Sequence, residues 1–143
     1  MNIEIKPAEL YRDEVIELLA ALKLPTVDLP GLLNNFFVAI DNNAITGVVG
    51  LEIYGNYGLL RSLAVNSGLN NKGIGAALLK RIETLATEQG LGAIYLLTET
   101  AKDYFEHKGY EHIARMDIPE EVKAASEFTH VCPDTAVAMQ KSL

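Results

Sequence analysis

The spacing of apolar residues along the chain predicts an alternation of strands and helices. Short apolar runs that favour strands occur at residues 2–5, 36–40, 45–54, 57–65, 93–98, 110–116 and 135–140. Apolar residues at helical spacing predict one helix that starts at Pro7 and others at 72–89, 101–108 and 119–128. The pair Gly55-Asn56 predicts a tight hairpin between the third and fourth strands.

This order of elements predicts an α/β (α+β) protein. Antiparallel hairpins come first, and the helix at 72–89 then connects strand 57–65 to strand 93–98 as a crossover, which makes these two strands parallel. The chain has 143 residues and neither an internal repeat nor a linker, so a single domain, 1–143, is predicted.

Composition restricts the expected partners and location. Hydrophobic residues make up 49% of the chain and charged residues 22%, and no apolar run approaches the length of a membrane span. The formal net charge of −7 argues against a nucleic-acid-binding surface. The N-terminal sequence lacks a secretory-signal pattern, and Cys132 is the single cysteine. A cytoplasmic protein without nucleic-acid or membrane partners is therefore expected.

The segment VNSGLNNKGIGAALLKRI (65–82) places a glycine-containing loop between a strand and a helix. It is not a Walker loop, because Lys72 precedes Gly73, and it is not a dinucleotide fingerprint, because Leu78 occupies the place of the third small residue. Backbone N–H groups of residues 70–75 could converge on an anion at the helix N-terminus. The alternative is a glycine-tolerant helix start without a ligand.

Two separated motifs in this order resemble the GCN5-related N-acetyltransferase (GNAT) superfamily. They are LAVNSGLNNKGIGAALL (63–79) and AKDYFEHKGY (101–110), the second of which is similar to the family helix A-x-x-F-Y-x-x-x-G-F. The resemblance implies the GNAT fold, in which helices flank a mixed sheet of six to seven strands and the parallel strands 57–65 and 93–98 splay apart. It also implies acetyl-CoA as co-substrate, without a metal.

Other segments resemble the small acetyltransferases encoded in arsenic-resistance operons. These segments are LLRSLAV (59–65), YLLTETAKDYFEHKGY (95–110), the helix at 119–128 and CPDTA (132–136). The middle of the chain is also similar to the acetyltransferase domain of N-acetylglutamate synthases. Both resemblances imply a small substrate of amino-acid character.

The family resemblance also implies which residues bind the cofactor. In the family, pantetheine pairs with the backbone of a splayed strand, a nearby amide polarises the thioester carbonyl, and the pyrophosphate lies on the loop and the helix start. The corresponding positions are Leu63, Ala64, Val65, Asn70, Asn71, Lys72, Gly73, Ile74, Gly75, Ala76 and Phe105. Asparagines replace the usual Gln or Arg and Gly of the loop, which is tolerable because the phosphate ligands are backbone N–H groups.

Acetyl transfer needs a base that takes a proton from the acceptor ammonium and an acid that returns one to sulfur. Glu52, in the third strand, and Glu99, at the end of the buried strand, are the candidate bases. Tyr104 is the candidate acid, although the usual tyrosine position holds Phe105, which cannot donate a proton. The alternatives are a structural role for Glu52, a solvated Glu99 before a helix capped by Thr100, and a packed aromatic at Tyr104.

Arg61 is the candidate substrate-binding residue. A two-residue hairpin at Gly55-Asn56 would place Arg61 and Glu52 on the same sheet face as diagonal neighbours. Arg61 could then hold a substrate carboxylate while Glu52 accepts the amine proton, and a structural salt bridge is the alternative. Asp28 lies in the loop that forms one wall of the acceptor site in the family.

The sequence therefore predicts an acetyl-CoA-dependent N-acetyltransferase that acts on the amine of a small molecule, with an amino-acid-like or arsenical substrate as the finer prediction. The alternatives are a non-catalytic acyl-CoA-binding or arsenical-responsive module and a protein or polyamine N-acetyltransferase. Three histidines and one cysteine do not form a recognisable metal set. A homodimer is expected from the habit of the family.

Overall fold

The computed structural model describes residues 3–24, 26, 29–66, 73–123 and 136–143. Its strands in these ranges are β1 (Glu4–Pro7), β2 (Phe36–Asp41), β3 (Ala44–Tyr54), β4 (Tyr57–Val65), β5 (Ala93–Thr98), β6 (Glu111–Ile113) and β7 (Val137–Ser142). Its α-helices are α1 (Arg12–Ala21), α2 (Ile74–Glu88), α3 (Lys102–His107) and α4 (Glu120–Lys123), and short 3-10 helices cover Glu9–Tyr11 and Arg115–Asp117. No helix in the described ranges is long and apolar enough to cross a membrane.

The strands form a seven-stranded sheet in the order β1-β2-β3-β4-β5-β7-β6. The pair β4–β5 is parallel, whereas the pairs β1–β2, β2–β3, β5–β7 and β6–β7 are antiparallel. The helix α2 connects the two parallel strands as a crossover. The predicted mixed α/β sheet flanked by helices is therefore confirmed.

The predicted helix start at Pro7 is wrong. Pro7 is the last residue of β1 and pairs with Phe37, and the α-helix begins only at Arg12, after a 3-10 turn. Proline is tolerated in β1 because this strand lies at the edge of the sheet, where a missing N–H removes no inner ladder bond. The predicted strand 110–116 is also too long, because its last residues form the second 3-10 helix.

The chain divides into two compact units, Met1–Leu51 with Arg61–Leu85 and Glu52–Leu60 with Ala86–Leu143. The core of the first unit lies between α1 and the strands β2 and β3, and includes Val15, Leu18, Leu19, Leu33, Phe36, Val38 and Val48. The second unit has a cluster of its own, which contains Leu59, Ala93, Tyr95, Ile118, Val122 and Ala138. The single domain predicted from the sequence stays a prediction.

Close packing at Gly47 fixes the start of α2 against β3. A Cβ atom at this position would lie 2.8 Å from Leu78 Cδ1 and 3.1 Å from both Ile74 Cγ2 and the Ala64 carbonyl oxygen. Ile74 and Leu78 are buried, so the helix can approach the strand this closely only because residue 47 has no side chain.

Candidate functional site

The strand β4 departs from regular geometry at Ser62. This residue has φ +59°, a left-handed value that residues other than glycine seldom adopt. A single left-handed residue inside a strand is typical of bulges, which often lie beside functional sites and redirect side chains. The next two residues, the half-buried Leu63 and the buried Ala64, are predicted cofactor ligands.

The strands β4 and β5 pair in parallel in a register that ends at Leu59 opposite Tyr95. β4 then continues to Val65, and β5 continues to Thr98. The irregular residue Ser62 thus follows the end of this register. The predicted splaying of the two strands beyond it stays a prediction.

The helix α2 begins directly after a left-handed glycine. Gly73 has φ +81°, and no described atom lies within 4 Å of the position that its Cβ would occupy. Its carbonyl oxygen accepts a hydrogen bond from the Ala77 N–H at 3.0 Å, so Gly73 starts the helical bonding. Ile74 is buried, whereas Gly75 and Ala76 are half-buried. Among the described residues, the space at the Gly73 Cβ position is therefore open, and it adjoins the first turn of α2, where backbone N–H groups suit an anion.

Several predicted site residues lie outside the described residues. They are the loop residues Asn70, Asn71 and Lys72 and the acceptor-loop residue Asp28. Within the described residues, no group of three or more His, Cys, Asp or Glu side chains could hold a metal ion. We use the name cradle for residues 63–65 of β4 together with residues 73–76 at the start of α2.

Arg61 is the only charged residue in the described ranges that is buried, with 3% of its surface exposed. Its Nε donates a hydrogen bond to Ser62 Oγ at 3.2 Å, and its guanidinium carbon lies 5.9 Å from the centre of the Phe36 ring. A buried cation is costly unless hydrogen bonds and negative charge compensate it. The protein therefore holds the Arg61 guanidinium away from water, and its predicted role in binding a substrate carboxylate stays a prediction.

Glu52 lies near the end of β3, in the second unit. It is half-buried, and its Oε1 accepts a hydrogen bond from the Tyr54 hydroxyl at 3.1 Å. Residues two apart on a strand point to the same face, so this contact follows from strand geometry. The predicted neighbourhood of Glu52 and Arg61 stays a prediction, because the two residues belong to different units.

Glu99 is exposed and directly follows β5. At the start of the next helix, Thr98 Oγ1 accepts a hydrogen bond from the Ala101 N–H at 3.1 Å. The expectation that Thr100 caps this helix is wrong, because the cap residue Ala101 has no side-chain cap bond and Thr98 makes the local contact instead. Glu99 keeps its predicted place at the carboxyl end of β5, in the second unit.

Tyr104 and Phe105 differ sharply in burial. Phe105 is 5% exposed, and its ring meets the rings of Tyr104 and Tyr110 edge-to-face at centre distances of 5.3 and 5.5 Å. Tyr104 is 37% exposed, and Lys108 Nζ lies 5.5 Å from its ring centre. Phe105 is thus a core aromatic, whereas Tyr104 is a surface aromatic whose acid role stays a prediction.

Three tyrosines of the second unit form a group that the sequence pattern does not indicate. Tyr57 and Tyr95 meet edge-to-face at 5.8 Å, and Tyr54 packs against the same cluster. Burial, and then the neighbouring Tyr57, raises the pKa of the Tyr95 hydroxyl. Its members lie on three different strands, and the spacing within one strand does not indicate the residues of the others.

Comparison with known proteins gives a family match and a partial relative. Residues 33–112 match a family model described as an acetyltransferase (GNAT) domain. An uncharacterized N-acetyltransferase of Chlorobaculum tepidum is 30% identical over 91 residues, which cover 63% of this chain and 58% of that protein. The match therefore spans little more than half of the relative.

Solved structures share the fold. A GNAT-family acetyltransferase of Staphylococcus aureus MU50 has a TM-score of 0.81 and 26% identity, with 99% of each chain covered. An N-acetylglutamate synthase of Neisseria gonorrhoeae, solved with coenzyme A and N-acetyl-glutamate, has a TM-score of 0.81 and 16% identity over 100% of this chain and 35% of that chain. A Mycobacterium tuberculosis protein solved with CoA has a TM-score of 0.78 and 18% identity over 98% of this chain and 99% of that chain.

Proposed function

Because the chain belongs to the acetyltransferase (GNAT) domain family, we propose that it transfers the acetyl group of acetyl-CoA to the amine of a small molecule. The observation that carries this proposal is the family match over residues 33–112, which contains β4, the loop and α2. Two local features support it: the irregular backbone at Ser62 and the left-handed Gly73 before α2.

The cradle fits the groups of acetyl-CoA that the family binds. The open space at Gly73 lets a phosphate approach the N–H groups of the first turn of α2, where the helix dipole also favours an anion. In this proposal, Leu63 and Val65 offer backbone groups to pantetheine. The N–H of Leu63 or Ala64 polarises the thioester carbonyl and stabilises the negative charge that develops on its oxygen.

The chain's side chains move the protons of the reaction. Acetyl-CoA supplies the acyl group and the thiolate, and a C–N bond to the acceptor forms as the C–S bond breaks. Glu52 or Glu99 takes one proton from the acceptor nitrogen, directly or through water, and Tyr104 or water returns one to sulfur. Of the two, Glu52 is the preferred candidate, because it is half-buried and the Tyr54 hydroxyl orients its carboxylate, whereas Glu99 is exposed.

We propose an acceptor that carries a carboxylate, such as an amino acid or an arsenical analogue of one. The buried guanidinium of Arg61 attracts a carboxylate and repels a polyamine. The Neisseria gonorrhoeae enzyme of similar fold was solved with N-acetyl-glutamate. The resemblance of LLRSLAV and CPDTA to arsenic-resistance acetyltransferases supports the arsenical candidate.

A non-catalytic acyl-CoA-binding or arsenical-responsive module is the second candidate. The buried Phe105 at the usual tyrosine position favours it, because a phenyl ring cannot protonate the thiolate. A protein N-acetyltransferase remains the third. For all three candidates, the family resemblance supports a homodimer, and the single cysteine supports a reducing, cytoplasmic location.

Acetyl-CoA is expected to stabilise the protein against thermal unfolding, by about 2.7 kcal/mol at a concentration of 100 Kd. Thiol release from acetyl-CoA is then measured with amino acids, their analogues, polyamines and peptides. Release with carboxylate-bearing amines supports the proposed enzyme. Stabilisation without release for any acceptor supports the binding module, and an unchanged Tm at millimolar acetyl-CoA contradicts all three candidates.

Gly73→Ala is expected to weaken acetyl-CoA binding by about tenfold. The alanine strains the left-handed backbone by about 1 kcal/mol and places a methyl group in the space that the phosphate would use. Calorimetric titration with acetyl-CoA measures the change. Gly31→Ala is the control, because its Cβ also meets nothing within 4 Å but its backbone is not left-handed. Equal affinities of the two variants would remove Gly73 from the cradle.

Tyr104→Phe is expected to change kcat by less than about twofold. The ring keeps its contacts with Phe105 and Lys108, and only the hydroxyl of a partly exposed side chain is lost. The pH dependence of kcat is measured with the wild type and the variant. A fall of 100-fold or more, on the order of the usual contribution of a general acid, would make Tyr104 the proton donor.

A further inference from the structure

Ser62 combines two features that a regular strand does not allow together. Its φ of +59° is left-handed, and its Oγ accepts a hydrogen bond from the Nε of the preceding residue, Arg61, at 3.2 Å. Adjacent side chains of a regular strand point to opposite faces and cannot meet in this way. The left-handed backbone turns the hydroxyl toward the guanidinium, so the hydrogen bond depends on the irregular backbone.

The guanidinium also lies near a buried aromatic ring. The guanidinium carbon lies 5.9 Å from the centre of the Phe36 ring, which is 1% exposed. The ring in turn covers Gly50, where a Cβ atom would lie only 2.3 Å from it. All four residues belong to the first unit. The Arg61 guanidinium thus has a hydroxyl bonded at Nε and a tightly packed ring nearby.

We propose that Ser62 is a positioning residue that sets the direction in which Arg61 presents its fork to the carboxylate of the acceptor. This inference rests on the proposed role of Arg61 in acceptor binding. The hydrogen bond from Nε to Ser62 restricts the guanidinium to one orientation. A carboxylate that binds there therefore meets N–H donors that are already oriented. Ser62 therefore determines selectivity for amines that carry a carboxylate over amines that lack one, without touching the substrate.

Two variants separate the hydroxyl from the backbone. Ser62→Ala removes the hydroxyl and keeps a side chain at the left-handed position, whereas Ser62→Gly removes the hydroxyl and relieves the backbone. Both are expected to raise KM for a carboxylate acceptor by about fivefold to tenfold relative to its amide, with KM for acetyl-CoA within twofold of the wild type. The glycine variant is expected to have the higher Tm of the two. Ser142→Ala, at the exposed last residue of β7, is the control.

The arginine variant distinguishes failure of this inference from failure of the proposed function. If Arg61→Ala has the same ratio of KM for the acid to KM for the amide as the wild type, the proposed acceptor role of Arg61 is wrong. The inference about Ser62 is then wrong as well. If Arg61→Ala changes this ratio but neither Ser62 variant does, the inference alone is overturned.

A spectroscopic measurement tests the contact without turnover. Nitrogen-15 NMR of the wild type is expected to show an Arg61 Nε–H signal that exchanges slowly with water. In Ser62→Ala the exchange is expected to be at least about tenfold faster, because the acceptor of this proton is gone. Equal exchange rates in the two proteins would overturn the positioning role.

Discussion

Replacing Arg61 by alanine is expected to lower kcat/KM for a carboxylate-bearing acceptor by about 100-fold, mainly through a higher KM. The guanidinium is buried beside Phe36, so a substrate carboxylate that binds it forms a charge pair away from water. Truncation of one partner of such a pair costs about 2–5 kcal/mol. The measurement is steady-state thiol release with an amino acid and with its amide, which differ only in the carboxylate.

Arg81 offers a matched control for this substitution. Its guanidinium carbon lies 4.4 Å from the centre of the Phe37 ring, in the same unit, but on the half-exposed surface of α2. Arg81→Ala is expected to affect the acid and the amide equally. Arg61→Lys keeps the charge and loses the planar fork, so its loss should be intermediate. Equal losses for the acid and the amide in Arg61→Ala would leave Arg61 with a structural role.

The sequence was most informative where apolar runs end at turn residues. β4 and β5 have the bounds that the pattern predicts, 57–65 and 93–98, because Gly55-Asn56 precedes the first and Gly92 lies directly before the second. Pro7 misled the prediction because it is equally suitable for a helix start and for an edge strand. Only the pairing with β2 decides between the two, and that pairing connects residues far apart in the sequence.

Around the candidate site, the sequence indicated where the helix starts much better than it indicated the surroundings of the side chains. The motif around Gly73 identifies the helix start, whose role depends on local conformation. In contrast, every residue of LLRSLAV suits a regular strand, so nothing in it indicates the left-handed Ser62. The pattern also cannot show whether Arg61 is solvated or buried. Its exposure of 3% depends on residues of other strands, such as Phe36.

Gly50→Ala is expected to lower the free energy of unfolding by about 3 kcal/mol and Tm by about 10 °C. A Cβ atom at residue 50 would lie 2.3, 2.5 and 2.6 Å from three atoms of the Phe36 ring, well inside van der Waals contact. Residue 50 pairs directly with residue 36 across β3 and β2, and the ring is buried, so neither can yield without moving the core. Urea and thermal denaturation measure the loss.

Two further variants decide whether the contact with Phe36 causes this loss. Gly31→Ala introduces the same methyl group where no described atom lies within 4 Å, and its effect is expected to stay within about 0.5 kcal/mol. The double variant Phe36→Leu/Gly50→Ala is expected to be more stable than the sum of the single effects by at least about 1 kcal/mol, because leucine vacates space that the methyl group fills. Additive effects would contradict this steric explanation. The same ring lies beside the Arg61 guanidinium, so Gly50→Ala should also reduce the preference for the acid over the amide. The stability of this core and the selectivity proposed for the site would then depend on the same contact.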